Sequence, residues 1–228
     1  MPPDRRDGTG VQADTVVERR EGEAQAHGAP VSLRVACIAD VPKMQALIER
    51  SASGLNAGHY APGELDAAIR DIFGVDTRLV EDGTYFVAER AGVVVGCGGW
   101  SQRRTLFGGD RFAGREDAAL DPATDAARIR AMFVDPAHAR TGVATALLAA
   151  SEAAAGAAGF RRLALMATLP GLAFYRAAGF VAGEPIRHPS GDAFVPFVPM
   201  TKQLSDPTGT IRRPASPQAD QRSGRAML

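Results

Sequence analysis

Residues 129–148 read IRAMFVDPAHARTGVATALL: an apolar strand run, Ile129 to Val134, stops at Asp135-Pro136, turns through Ala139-Arg140-Thr141-Gly142-Val143-Ala144 and enters an alanine-rich helix, Gly142 to Ala158. That order has a chemical consequence. The first N–H groups of a helix have no partner within it and sit at the positive end of its dipole, so an anion that can reach them is held there. The small residues Gly142 and Ala144 leave the approach open, and Arg140 adds a charge-assisted donor. The stretch therefore reads as a pyrophosphate-binding turn on Arg140, Thr141, Gly142, Val143 and Ala144 in an α/β fold. Gly-x-Ala at a helix start also occurs in purely structural turns, so the surroundings decide.

Upstream, Leu33 to Ala36 is a short strand, and Asp40 is placed to cap a helix with Val41, Met44, Leu47 and Ile48 on one face. A second helix starts at Pro62, spaces Leu65, Ala68, Ile69 and Ile72 along one side, and ends at Gly74. Tyr85 to Ala88 and Val93 to Cys97 form an antiparallel hairpin about Ala91-Gly92, ended by Trp100. Residues 101–126 are polar, glycine-bearing and arginine-rich, too long for an ordinary connection and so a functional loop. Downstream, Gly159 stops the motif helix, Leu163 to Ala167 is a strand, a short helix runs from Pro170 to Ala178 before Gly179, and final strands lie near Phe180 to Ile186 and Phe194 to Thr201.

Composition sets the frame. Of 228 residues, 45% are hydrophobic, enough to bury a core, and 26 basic residues balance 26 acidic ones, so no net positive field draws the chain to nucleic acid or an anionic membrane. No apolar run approaches the ~20 residues of a membrane helix, and no signal-like core follows the start, so the expected location is cytoplasmic. Cys37 and Cys97 are isolated in apolar surroundings and read as reduced, buried thiols, and the four histidines show no metal-ligand spacing. Residues 1–30 and 205–228 lack a face to bury and are expected to be disordered tails around one domain, residues 31–204.

The turn, with Phe133-Val134-Asp135-Pro136 before it and Ala146-Leu147-Leu148 after it, resembles the acyl-CoA motif of the GNAT acetyltransferase superfamily, Gln/Arg-x-x-Gly-x-Gly/Ala. Phe174-Tyr175-Arg176-Ala177-Ala178-Gly179-Phe180 is similar to that family's second signature, and the resemblance spans about residues 31–204. Two positions depart from it: Ala139 stands where the motif opens with Gln or Arg, and Thr168 where many relatives carry Asn. The resemblance implies a mixed sheet of six to seven strands with about four helices, in which two parallel strands splay. Acetyl-CoA as cosubstrate would lie with its pantetheine between Met132 to Val134 and Ala167-Thr168. It also implies a small-molecule amine acceptor and allows a homodimer.

By the same resemblance Tyr175 is the general acid beside the sulfur, whereas by itself it reads first as a core aromatic. The oxyanion donor would be the backbone N–H of Phe133 or Val134. No general base is legible on the motif strand, which leaves water or the loop residues His59, Asp76 and Asp125. The acceptor frame is Gly54 to Tyr60 with Trp100 to Arg104, although a core tryptophan followed by a solvated basic turn explains the latter too. A catalytically silent acyl-CoA sensor is the alternative. A dinucleotide-binding protein is disfavoured by the missing glycines and acidic ribose ligand.

Overall fold

The structure, a computed structural model, describes residues 29–205. Apart from their inner ends, the two expected tails lie outside the described residues. In chain order the elements are β1 (Ser32–Val35), α1 (Val41–Asn56), α2 (Pro62–Asp71), α3 (Thr77–Glu81), β2 (Tyr85–Arg90), β3 (Val93–Ser101), β4 (Ala127–Val134), α4 (Val143–Ala157), β5 (Arg162–Ala167), α5 (Leu172–Ala177), β6 (Val181–Ala182), β7 (Ile186–Ser190) and β8 (Ala193–Gln203). The strand order is β1-β2-β3-β4-β5-β8-β6, with β7 pairing β8. The α/β class is as expected. The sheet has one more strand than anticipated because the region after Phe180 folds as a two-residue strand plus a hairpin, β7–β8.

Alternation along β2 shows how the sheet is sandwiched. Tyr85 and Val87 face the cluster that includes Met44, Leu47 and Ile48 of α1 and Ala67 and Ala68 of α2. Ala88 instead joins Val143 and Leu147 of α4, with Phe86 packed against the same group. α4 buries Val143, Leu147, Leu148, Ser151 and Ala155, a stripe of helical spacing. The hairpin turn between β2 and β3 uses Ala91 (φ 47°) and Gly92 (φ 76°), the pair of left-handed residues that a tight two-residue hairpin requires.

Besides a register shift of β2 against β3 at Ala88/Glu89, two irregularities of the sheet meet on β4. Every strand pairing is antiparallel except β4–β5, which is parallel and holds only at Ala127↔Leu163 and Arg128↔Ala164. Beyond those pairs the strands separate. On the other edge of β4 the register with β3 slips between Cys97↔Phe133 and Gly99↔Arg130, so three steps along β4 face two along β3. The bulge falls at Ala131 and Met132, with Ala131 in the left-handed region at φ 51°. The Tyr85 hydroxyl donates to the Ala131 carbonyl at 3.3 Å and fixes the bulge from the core side.

Three local expectations are corrected. Asp40 precedes α1 but does not cap it: its carboxylate accepts from the Cys37 N–H at 2.8 Å and from both Arg34 Nη atoms at 2.7 and 2.8 Å. A bidentate guanidinium outcompetes helix amides for the same oxygens. Cys37 is exposed, because it lies in the short connection between β1 and α1, whereas Cys97 is buried and its thiol is pushed up to about 12 by desolvation. Gly74 is not a left-handed stop; α2 ends through Ile72, whose N–H donates to the Ala68 carbonyl.

Candidate functional site

The separation of β4 from β5 opens a cavity of about 400 Å³. Its wall includes Met132, Phe133 and Val134 from the bulged half of β4, Met166 and Thr168 from the end of β5 and beyond, Arg140, Gly142 and Ala144 from the turn into α4, and Tyr175 from α5. Of the residues expected at the site, Thr141 and Val143 do not line it. The Thr141 hydroxyl turns back to the His138 carbonyl at 2.7 Å, and the Val143 side chain is core, 1% exposed, so only the backbone of these two residues belongs to the turn.

The turn has the form of an anion cradle. Arg140 (φ 59°) and Gly142 (φ 88°) are both left-handed, a backbone pattern that draws successive N–H groups into a concavity. α4 starts at Gly142 with no side-chain cap, and a Cβ built on Gly142 meets nothing within 4 Å. Arg140 is exposed beside it. Beneath the turn the Arg90 guanidinium, on a residue 6% exposed, donates to the Thr141 carbonyl at 2.8 Å. Arg90 was not singled out from sequence, because its place at the end of β2 gives no hint that it reaches a loop so far along the chain.

At the other end of the cavity, the 3₁₀ turn Leu169–Gly171 leads into α5, and the Tyr175 ring lies on Gly171 and between Phe174 and Phe180. Burial pushes the Tyr175 phenol well above its ordinary pKa, and among the described residues its hydroxyl has no hydrogen-bond partner. It is therefore a protonated O–H at neutral pH, free to donate. Of the two expected oxyanion donors, the Val134 N–H makes a long bond, 3.3 Å, to Ser51 Oγ.

The loop candidates for a general base are not in the wall. Asp125 accepts from the Asp121 N–H at 2.9 Å, and His59 is exposed on the α1–α2 connection. Asp76 is buried, accepting from Arg130 Nη2 at 2.7 Å, Arg115 Nη2 at 2.9 Å and the Arg78 N–H at 3.2 Å. Desolvation pushes Asp76 up, and the two guanidiniums pull it back. Arg130 also donates to the carbonyls of Thr105 at 2.8 Å and Gly108 at 2.5 Å. This network ties the 101–126 loop to β4, and the loop in turn supplies Leu106, Phe107, Gly108 and Gly109 to the cavity wall. A charged residue inside a strand signals a buried partner, but Arg130 gave no sign of which.

The acceptor frame expected at Trp100 to Arg104 is also corrected. Trp100 is 6% exposed and packs edge-on against Phe160, and Arg103 pairs with Asp82 at 2.7 Å. Neither lines the cavity, because β3 continues to Ser101 and carries these residues past it. The other half of the frame holds in part: Leu55 and Asn56 line the wall. Tyr60 braces that side, its hydroxyl donating to the Pro196 carbonyl at 3.1 Å and accepting from the Leu169 N–H at 3.0 Å.

The fold is shared with solved acetyltransferases. A GCN5-related N-acetyltransferase from Rhodopseudomonas palustris superposes with a TM-score of 0.57 at 22% identity, covering 76% of this chain and 95% of that one. The PaiA N-acetyltransferase of Thermoplasma acidophilum, solved in complex with coenzyme A, gives 0.52 at 15% identity, covering 77% and 99%. A ribosomal-protein-alanine N-acetyltransferase from Brucella melitensis gives 0.50 at 18% identity, covering 76% and 99%. No curated protein sequence matches the chain. The model of the acetyltransferase (GNAT) family matches residues 45–180, which hold the bulged strand, the anion cradle and the tyrosine helix, and the chain belongs to that family.

Proposed function

We propose that the protein is an N-acetyltransferase that moves an acetyl group from acetyl-CoA to the amine of a small molecule. One observation carries the reading: a parallel strand pair closed at one end by two residue pairs and open along the rest, with an uncapped helix start on one side of the opening and an unbonded tyrosine on the other. In this reading the pyrophosphate takes the amides of Arg140 to Ala144 with help from the Arg140 guanidinium. The pantetheine amides take the backbone groups left unpaired where β4 and β5 part, Met132 to Val134 facing Thr168. The amine nitrogen attacks the thioester carbonyl, the C–N bond forms and the C–S bond breaks. The nitrogen gives one proton to water, Tyr175 delivers one to the departing sulfur, and water returns a proton to the tyrosinate, so that one proton passes in all from nitrogen to sulfur. A backbone N–H next to the bulge, at Phe133 or Val134, stabilises the oxyanion. Among the described residues no helix is long and apolar enough to cross a membrane, which agrees with a cytoplasmic enzyme whose domain spans residues 31–204.

Among the described residues no carboxylate or imidazole lines the wall, which favours a second reading, a catalytically silent acyl-CoA sensor. Release of free CoA from acetyl-CoA separates the two. An enzyme releases CoA in proportion to added amine across a panel of amino acids, polyamines and aminoglycosides, whereas a sensor binds acetyl-CoA by calorimetry and releases none.

A further inference from the structure

The last residue of α1, Asn56, lines the cavity and is 5% exposed. Its Nδ2 donates to the Ala52 carbonyl at 2.9 Å, and its Oδ1 is buried with no hydrogen-bond partner. The opposite orientation of the amide would set Oδ1 against a carbonyl, so the Ala52 bond fixes which end is spent and which is left over. A buried acceptor lacking a donor is a deficit that native structures rarely keep. The cavity is the space from which a donor can come.

The wall that Asn56 shares is rich in phenylalanine. Phe73, Phe107, Phe133 and Phe197 share the wall with Leu55 and Ile72, and Phe73 meets Phe133 and Phe197 edge-on at 5.8 and 6.4 Å. The ionisable groups that face this space are Arg130, Arg140 and Tyr175. Behind them stand Asp76, committed to Arg130 and Arg115, and His188, which packs on Phe107 at 5.0 Å and whose pKa burial lowers. Tyr60, on the α1–α2 connection, is pushed up to about 12, first by burial, and stays neutral. Among the described residues no group in the wall brings a negative charge to meet an ammonium, and none stands ready to strip its proton.

We infer that the acceptor is an amine already neutral at pH 7 on an aromatic or branched apolar body, with an arylamine as the type case, and that Asn56 Oδ1 accepts one of its N–H hydrogens. The inference deepens the acetyl-transfer reading and rests on it. An alkylamine with the pKa of lysine, about 10.4, presents its free base in only about one molecule in 2,500 at pH 7. It would enter a pocket that gives its cationic form no counter-charge. An arylamine shares its lone pair with the ring, enters uncharged, lays the ring among the phenylalanines and keeps two N–H donors, one for Asn56 and one to lose. The reaction balances without another reagent: arylamine and acetyl-CoA give the acetylated amine and free CoA, with one proton passing from nitrogen to sulfur.

The test compares para-ethylaniline with its saturated counterpart, para-ethylcyclohexylamine, as acceptors for the full chain with acetyl-CoA, by CoA release from about pH 6.5 to about pH 9. The expected result is a kcat/KM for the aniline at least about tenfold higher at pH 7 and flat with pH. The cyclohexylamine should climb about tenfold per pH unit, as its free base does. Asn56→Asp puts a carboxylate where the amide oxygen stood and should shift the preference at least about tenfold toward the cyclohexylamine while the KM for acetyl-CoA stays the same. A wild-type preference for the cyclohexylamine at pH 7 overturns the inference, and that comparison needs no variant to fold. Unchanged selectivity in Asn56→Asp overturns the role of Asn56. CoA release with a polyamine and with neither of the pair overturns this inference alone, whereas release with no amine overturns acetyl transfer as well.

Discussion

Replacing Asp76 with Asn tests how much the buried charge network that ties the 101–126 loop to β4 contributes to stability. Asp76 is 1% exposed and Arg130 3% exposed, and their 2.7 Å contact is joined by Arg115 at 2.9 Å. Arg130 cannot give up its proton, so its pairing keeps Asp76 ionised against the upward push of desolvation. Asn is nearly isosteric but removes the charge, and its amide NH₂ turns a donor toward one of two guanidiniums. One hydrogen bond to a charged group, about 1.5–3 kcal/mol, is lost outright, and Arg130 is left undercompensated. Breaking a buried pair from one side costs about 3–5 kcal/mol in all. At about 2–4 °C per kcal/mol for a chain of this size, the melting temperature should fall by about 6–20 °C. The assay is urea unfolding followed by the fluorescence of Trp100, the one tryptophan in the chain and 6% exposed. Asp117→Asn serves as the control, since its contact with Arg78 is 3.4 Å and half-exposed and should be worth under about 1 kcal/mol. A loss below about 1 kcal/mol in Asp76→Asn would refute the reasoning, because it would mean that Asp76 is carried protonated in the fold.

Gly142→Val places a β-branched residue at φ 88° in the open mouth of the cradle, so it should cost about 1–2 kcal/mol of stability and raise the KM for acetyl-CoA at least about tenfold. Unchanged affinity by calorimetry would remove the pyrophosphate from that turn. Tyr175→Phe removes a hydroxyl that has no hydrogen-bond partner among the described residues, so the melting point should hold while kcat falls about 10²-fold. A variant with full turnover would exclude the proton-donating role. For Asp40, the bidentate Arg34 guanidinium, the backbone N–H of Cys37 and its thiol all hold the carboxyl well below the unfolded value of about 3.9. Its stabilisation is thus complete above about pH 5 and is lost as pH falls through and below about pH 4. Asp40→Asn should flatten that acid limb and, with Arg34 side-chain exposure of 41% screening the pair, cost about 1 kcal/mol at pH 7.

What was readable from sequence, and what was not, divides along the range of the forces involved. The uncapped turn into α4 needs only local chemistry, small residues at a helix start and glycine where the backbone turns left-handed, and the hairpin at Ala91-Gly92 is equally local. Both were legible. Asp76 and Arg130 lie 54 residues apart, and nothing near either one names the other. Asp76 therefore read as a loop carboxylate available for catalysis, when its charge is consumed in holding a loop. The bulge is a subtler case. Ala131 has no residue-type signature for a left-handed conformation, and the glycine that accommodates the bulge is on the neighbouring strand: a Cβ on Gly98 would strike the Met132 sulfur. The close approach is set by strand register, which sequence periodicity cannot resolve to one residue.

The same division explains why Trp100 to Arg104 were expected at the cavity and do not line it. Trp100, Arg103 and Arg104 have the residue types of a recognition surface, but β3 runs on to Ser101 and the loop then crosses behind Arg130, so it is the blander Leu106 to Gly109 that reaches the cavity. A wall in which phenylalanine rings share the space with Asn56 and a committed Arg130, and in which no carboxylate stands among the described residues, offers an incoming amine contact area and the Asn56 Oδ1 acceptor, with no negative charge to hold it. Selection in such a site falls on the protonation state of the substrate, since desolvating an ammonium without a partner costs far more than desolvating a neutral amine. The missing base and the missing carboxylate are then one property of the pocket: a nucleophile that arrives neutral needs neither.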